Sequence, residues 1–144
     1  MAIGTVLFLA WLFLFGGAAN AAEVTSFTLI DAASDTAIAP LNDGDTIDLA
    51  QTGTSLSVKA NVDGTPNTVN FTLSGAMSHT QSEGVAPYAL YGDTNGDYDP
   101  WTPVVGDYNL TADCDGTGAL SISFSVTDGG GGGGGGEEPP PPDG

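Results

Sequence analysis

Apolar and polar residues alternate along most of the chain between positions 24 and 127. The alternation is clearest in three segments, 55–62, 68–74 and 118–127. In the first of these, Leu56 and Val58 fall on one face while Ser57 and Lys59 fall on the other. A period of two places successive side chains on opposite faces of a β-strand, and one apolar face per strand is typical of antiparallel sheets. These segments are therefore predicted to be strands with one buried and one solvent-facing side.

Weaker alternation predicts four further strands, at 24–30, 46–49, 88–91 and 108–114. Runs of Asp, Asn and Gly separate the strands and predict turns. No helix is predicted after residue 21. About seven short strands at this spacing predict an all-β fold, an antiparallel β-sandwich of the immunoglobulin-like (Ig-like) class spanning residues 22–128. A small β-barrel is the alternative.

The first 21 residues have a different composition. An apolar run ends at Phe15, Gly16 and Gly17 follow, and small residues in an A-x-A pattern end at Ala21. This pattern predicts a helical secretory signal peptide, residues 1–21, and hence a secreted or cell-surface protein, although no Lys or Arg precedes the apolar run. The alternatives are an uncleaved membrane anchor and a pilin-like filament subunit. A spanning helix needs about 20 apolar residues, which favours cleavage.

The other end, residues 129–144, consists mostly of Gly and Pro. A polyglycine run is a flexible coil, and four consecutive prolines form a stiff extended spacer. Neither can bury a core, so this segment is predicted to be a disordered linker. Because a linker joins two parts, a further domain of the same polypeptide is expected beyond Gly144.

Charge restricts the function classes. The chain has 18 acidic residues, Lys59 as its single basic residue and a formal net charge of −17. Such a chain repels phosphate backbones and anionic lipid surfaces, which excludes nucleic acid as a partner and leaves the leader as the only contact with a membrane. Cys114 is the only cysteine and is predicted to be a small buried hydrophobe, and His79 is the only histidine. With no catalytic constellation in sight, the chain is not expected to be an enzyme.

Tyr108 follows Gly106 and Asp107 at the start of a late predicted strand, as in the tyrosine corner of Ig-like domains, whose hydroxyl bonds to nearby backbone. Leu110 stands where those domains carry a cysteine. Together with 24–32, 87–103 and 123–126, this segment is similar to Ig-like or fibronectin-III-like modules of large secreted bacterial surface proteins. The resemblance implies a non-catalytic spacer or adhesion module. A carbohydrate-binding module accessory to a downstream enzyme is the alternative it implies.

Any ligand site is expected in the long connection 75–105. It holds four aromatic residues, Tyr88, Tyr91, Tyr98 and Trp101. Exposed aromatic faces beside polar groups can stack on sugar rings, which makes a polysaccharide a candidate ligand. It also holds four oxygen donors at alternate positions, Asp93, Asn95, Asp97 and Asp99.

These four donors resemble the start of a calcium loop, which makes calcium the candidate cofactor. They depart from the EF-hand, because its Gly and its last Glu are replaced by Tyr98 and Val104. The interpretation that the residues favour over both ligands is an ordered connection that only makes turns and folds Tyr88 and Trp101 onto the sandwich. Separately, Asn70-Phe71-Thr72 and Asn109-Leu110-Thr111 match the N-glycosylation pattern.

Overall fold

The computed structural model describes residues 21–129, which form eleven β-strands and one turn of helix. In chain order the elements are β1 (Glu23–Asp31), β2 (Thr36–Leu41), β3 (Thr46–Asp48), α1 (Leu49–Thr52), β4 (Leu56–Asp63), β5 (Val69–Gly75), β6 (His79–Glu83), β7 (Tyr88–Ala89), β8 (Asp93–Thr94), β9 (Asp97–Tyr98), β10 (Gly106–Cys114) and β11 (Thr117–Thr127). No helix in the described range is long and apolar enough to cross a bilayer.

The strands form two larger sheets and one hairpin. The first sheet has the order β2-β1-β4-β7, the second has the order β3-β11-β10-β5-β6, and β8 pairs only with β9. All pairs are antiparallel except β3 with β11, where Ile47 lies opposite Val126. The fold is therefore all-β with mixed sheets.

One hydrophobic core draws residues from both larger sheets. Phe27, Leu56 and Val58 of the first sheet and Phe71 and Leu110 of the second are each at most 1 % exposed. Two sheets that share one core are consistent with a β-sandwich. In β1 a β-bulge between Val24 and Ser26 changes the phase of the strand. This is why Val24 and then Phe27 and Leu29 are buried.

All seven predicted strand segments are strands in the structure, but the prediction was incomplete. It missed β2, β6, the hairpin β8–β9 and the one-turn helix α1, and the segment predicted at 88–91 is a strand only over Tyr88–Ala89. The prediction for Ser57 was wrong, because this residue of the polar set is fully buried. Its partner across the sheet is the buried Ile30, which belongs to a second small apolar cluster on the other side of the sheet.

The described chain begins and ends at opposite ends of the sheets. A Cβ atom at Gly118 would lie 2.5 Å from the carbonyl oxygen of Ala22, so the start of β11 adjoins the start of β1. Gly129, just after the end of β11, donates its backbone N–H to Asp48 Oδ1 at 2.7 Å. The predicted leader and linker lie outside the described residues, apart from Ala21 and Gly129.

Candidate functional site

The connection 75–105, where a site was predicted, links the two sheets. Its β6 pairs with β5 of the second sheet, and its β7 pairs with β4 of the first. Leu90 continues the edge by donating its N–H to the carbonyl oxygen of Val58 at 2.8 Å. After the β8–β9 hairpin the chain returns to the same edge, where Trp101 and Leu56 exchange both backbone hydrogen bonds at 2.6 and 3.0 Å.

Trp101 is part of the core. Its side chain is 0 % exposed, and its ring meets Tyr108 and Phe124 edge-on at centroid distances of 5.5 and 6.2 Å. Such T-shaped contacts are a favoured arrangement of aromatic pairs in protein interiors. The faces of the indole ring are therefore inaccessible to a ligand in this structure.

The three tyrosines of the predicted carbohydrate site differ in their surroundings. Tyr98 is 9 % exposed, and Tyr91 stacks on His79 at 3.8 Å and on Trp101 at 6.5 Å. Tyr88 lines a surface hollow beside β4. That hollow measures about 610 Å³ and is also lined by Lys59 and Asn61.

The four predicted calcium ligands lie in and beside a two-residue hairpin turn. Asn95 and Gly96 have φ angles of 52° and 91°, as in the Asn-Gly type I′ turn of β-hairpins. Asp93 accepts a hydrogen bond from the Gly96 N–H at 2.7 Å. Asp93 lies opposite Tyr98 and Asp97 lies opposite Thr94, so the carboxylates of Asp93 and Asp97 are on opposite faces of the hairpin. Within 21–129 no group of three metal-ligating His, Cys, Asp or Glu side chains is present.

The hairpin covers the outer side of the first sheet. Tyr98 packs there with Ile30, Ala32 and Ala89 in the second apolar cluster. Its backbone N–H donates to Asp35 Oδ1 at 2.9 Å, which ties the hairpin to the β1–β2 turn. Burial raises the pKa of the Tyr98 hydroxyl above its usual value, and the nearby carboxylates of Asp93 and Asp35 raise it further. The hairpin is thus an anchored part of the fold.

A polar row that the sequence analysis missed lies along β6. His79, Gln81 and Glu83 are half-buried and alternate with exposed residues. Gln81 bridges the other two, through its Oε1 to His79 Nε2 at 3.2 Å and through its Nε2 to Glu83 Oε2. Every residue of β6 is polar, so no hydrophobic alternation was present to reveal the strand.

Tyr108 makes the contacts expected of a tyrosine corner. Its hydroxyl donates to the carbonyl oxygen of Val104 at 2.7 Å and accepts from the Val104 N–H at 3.0 Å. Burial raises the pKa of this hydroxyl, and the backbone hydrogen bond of Val104 partly opposes that change. The sequence prediction of a hydroxyl bonded to nearby backbone is confirmed.

Cys114, predicted to be a small buried hydrophobe, is 1 % exposed. Burial raises the pKa of its thiol, and Asp115, Asp113 and Glu23 raise it further. A thiol in such surroundings is not an activated nucleophile.

Comparison of the chain with protein-family models, curated proteins and solved structures finds no match.

Proposed function

We propose that residues 22–128 are a non-catalytic Ig-like module that acts as a spacer or adhesion domain of an exported, multidomain surface protein. The observation that carries this proposal is the position of the two chain ends. The chain enters beside Gly118 and leaves beside Asp48, with the eleven residues of β11 between them. A strand of this length spans about 35 Å, so the module separates whatever lies before it from whatever lies after it.

The Ig-like assignment is supported by two features. The first is the pair of sheets that share one core, and the second is the Tyr108 corner at the start of β10. Leu110 is fully buried at the position where antibody-type domains place a cysteine. It fills the core there, which is in keeping with a sandwich that does not use the intersheet disulfide.

The non-catalytic assignment is supported by the state of the reactive side chains. His79 is engaged by Gln81 and covered on one ring face by Tyr91. Cys114 is buried between two acidic neighbours. A nucleophile needs an adjacent base that is itself held in place, and neither residue has that arrangement in the described part of the chain.

Spin labels attached through Glu23→Cys and Asp128→Cys test the proposal, because both positions are exposed and Cys114 is buried. We expect a narrow distribution of spin–spin distances near 35 Å, the length of an eleven-residue strand. In urea the distribution should broaden. A broad distribution of spin–spin distances in the folded protein would contradict the spacer proposal. Separately, hydrolysis of a polymer by the folded protein that a single substitution abolishes would contradict the non-catalytic assignment.

A second candidate function is carbohydrate binding, which the hollow beside Tyr88 favours. There a half-exposed aromatic ring adjoins Lys59 and Asn61, a combination of one apolar surface with a few polar groups. Affinity electrophoresis against a panel of neutral polysaccharides tests it. Retardation of the parent that Tyr88→Ala abolishes and Tyr91→Phe preserves would support binding at this hollow. Parent mobility that no polysaccharide of the panel lowers would exclude binding for that panel, and retardation that Tyr88→Ala leaves unchanged would exclude the hollow as the site.

A further inference from the structure

The outer face of the second sheet is a continuous polar surface. On β10 and β11 the solvent-facing side chains pair across the strands: Asp107 with Ser125 at 2.8 Å, Asn109 with Ser123 at 2.6 Å, and Thr111 with Ser121 at 2.6 Å. These hydrogen bonds hold the side chains in fixed positions. The surface lies on the opposite side of the sheet from the core.

Both N-x-T motifs of the chain lie on this surface. Asn70 and Asn109 occupy β5 and β10, and the threonine of each motif lies two residues further along the same strand. Because side chains alternate along a strand, the asparagine and the threonine share the outer face. The middle residues, Phe71 and Leu110, are buried in the core.

The two asparagines differ in their hydrogen bonds. Asn70 is half-buried, donates from its amide nitrogen to Asp113 Oδ1 at 3.0 Å and accepts from Ser82 Oγ at 2.8 Å. Asn109 is exposed and is held only through its amide oxygen, which accepts from Ser123 Oγ. Among residues 21–129, no acceptor occupies the amide nitrogen of Asn109.

Asn109 also borders a surface hollow of about 340 Å³. The hollow is lined by Asp107, Ser123 and Ser125, with Gly44 of the β2–β3 turn forming part of its wall. Hydroxyl and carboxylate groups of this kind can exchange hydrogen bonds with the hydroxyls of a sugar. The same side chain therefore offers a free amide nitrogen and a polar recess next to it.

We propose that Asn109 is the acceptor of an asparagine-linked glycan whose first sugar lies in this hollow. The donor class is an oligosaccharide joined to a lipid through pyrophosphate. The amide nitrogen of Asn109 bonds to the anomeric carbon of the sugar, the bond from that carbon to the pyrophosphate oxygen breaks, the lipid pyrophosphate leaves with the electron pair, and a base of the transferase takes the amide proton. In the cell this modification rests on the export included in the proposed function.

Purified, folded full-length chain is incubated with an oligosaccharyltransferase and its lipid-linked oligosaccharide, so that the result does not depend on export. Intact mass and peptide mapping should show one glycan, on Asn109. Asn109→Gln and Thr111→Val should abolish the modification, whereas Thr111→Ser and Asn70→Gln should keep it, each with an unfolding midpoint measured to confirm folding.

Two results would overturn the assignment. One is an unmodified Asn109 in a reaction where a folded reference protein with a surface N-x-T motif is glycosylated. The other is modification of Asn70 to the same extent as Asn109, because the hydrogen bonds of Asn70 would then have no influence on acceptor choice. Either result leaves the spacer proposal intact, since the distance measurement does not involve the glycan.

Discussion

The paired strands β5, β10 and β11 and the connection 75–105 both supply buried aromatic side chains to the same core, but they do so in different ways. In the strands, Phe71 and Phe124 are buried because every second residue faces inward. In the connection, Trp101 is buried because the chain returns to the edge of β4 after a ten-residue excursion. Burial in the strands follows from the two-residue alternation of the local sequence. Burial of Trp101 follows from the tertiary path that brings the connection back to the edge of β4.

This difference shows that an irregular connection can be as structural as a strand. Trp101 contacts Tyr108 and Phe124, which belong to the two longest neighbouring strands of the second sheet. It also pairs with Leu56 of the first sheet through its backbone. A residue that joins both sheets in this way should contribute to folding as much as a residue of the strands themselves.

The largest expected effect is therefore the loss of Trp101. Replacing a buried Trp or Phe by Ala costs about 3–5 kcal/mol through lost burial and the cavity that remains. We expect Trp101→Ala and Phe71→Ala to lower the free energy of unfolding by similar amounts in urea titrations. If Trp101→Ala does not fold, Trp101→Phe should retain part of the stability. A cost below about 1 kcal/mol for Trp101→Ala, far under the range for core aromatics, would mean that the connection is peripheral.

Two glycines give the next comparison. Gly75 at the end of β5 and Gly96 in the hairpin turn both have positive φ angles, 110° and 91°. A Cβ at Gly75 would overlap the carbonyl oxygen of Asp107, whereas nothing lies within 4 Å of a Cβ at Gly96. Both alanine variants should lose about 1–2 kcal/mol from the backbone conformation. Gly75→Ala should lose about 1–3 kcal/mol more from the steric clash.

Thermal or urea unfolding of the two alanine variants, run side by side, measures this difference directly. Equal losses would show that the sheet end can shift to admit a methyl group. Equal losses would also mean that the contact of Gly75 with the backbone of the neighbouring strand adds no cost beyond that of the open turn at Gly96.

The sequence predicted the regular part of the fold because alternation is a local property. The segments 55–62, 68–74 and 118–127 were found because their apolar residues recur at every second position, and each is a strand in the structure. The same reasoning failed for β6, whose five residues are all polar. It also failed for Ser57, because burial on both sides of β4 depends on the small cluster around Ile30 and Tyr98.

The candidate site was less predictable than the fold. Residue types suggested exposed aromatic rings, but the exposure of Trp101 and Tyr91 is decided by packing on Phe124 and His79, which are distant in the sequence. The Tyr108 corner was predicted from the position of Tyr108 just after a turn, and its partner Val104 lies only four residues away. The free amide of Asn109 was not, since it depends on which side chains lie opposite on β11 and β5.

A smaller effect is expected at Tyr108 and Tyr91, the two tyrosines whose rings contact Trp101. Tyr108→Phe removes both hydrogen bonds to Val104, and a typical buried hydrogen bond contributes about 0.5–1.5 kcal/mol. Tyr91→Phe leaves the stacking on His79 and Trp101 in place and should change stability by less than about 0.5 kcal/mol, as for most substitutions outside packed or bonded groups. Urea unfolding of both variants checks this, and a larger loss in Tyr91→Phe than in Tyr108→Phe would contradict it.

The smallest expected effect concerns calcium and the hairpin. A specific calcium site would stabilise the folded state by about 2.7 kcal/mol at a hundredfold excess over the dissociation constant. For a domain of this size, that gain would raise the melting midpoint by about 10 °C or more. Because Asp93 and Asp97 lie on opposite faces of the hairpin, we expect no such specific gain. Calcium and magnesium at matched ionic strength should both stabilise the acidic chain slightly and equally through screening.

Asp97→Asn sharpens this test, because it removes a charged ligand and retains a residue that suits turns and strand ends. Asp97 is exposed and makes no side-chain hydrogen bond within residues 21–129, so the variant should melt within about 0.5 kcal/mol of the parent in either cation. A calcium-specific rise of about 10 °C that Asp97→Asn removes would require Asp93 and Asp97 to converge on one ion. The hairpin would then have to open, and the connection would be a ligand site rather than a cover for the first sheet.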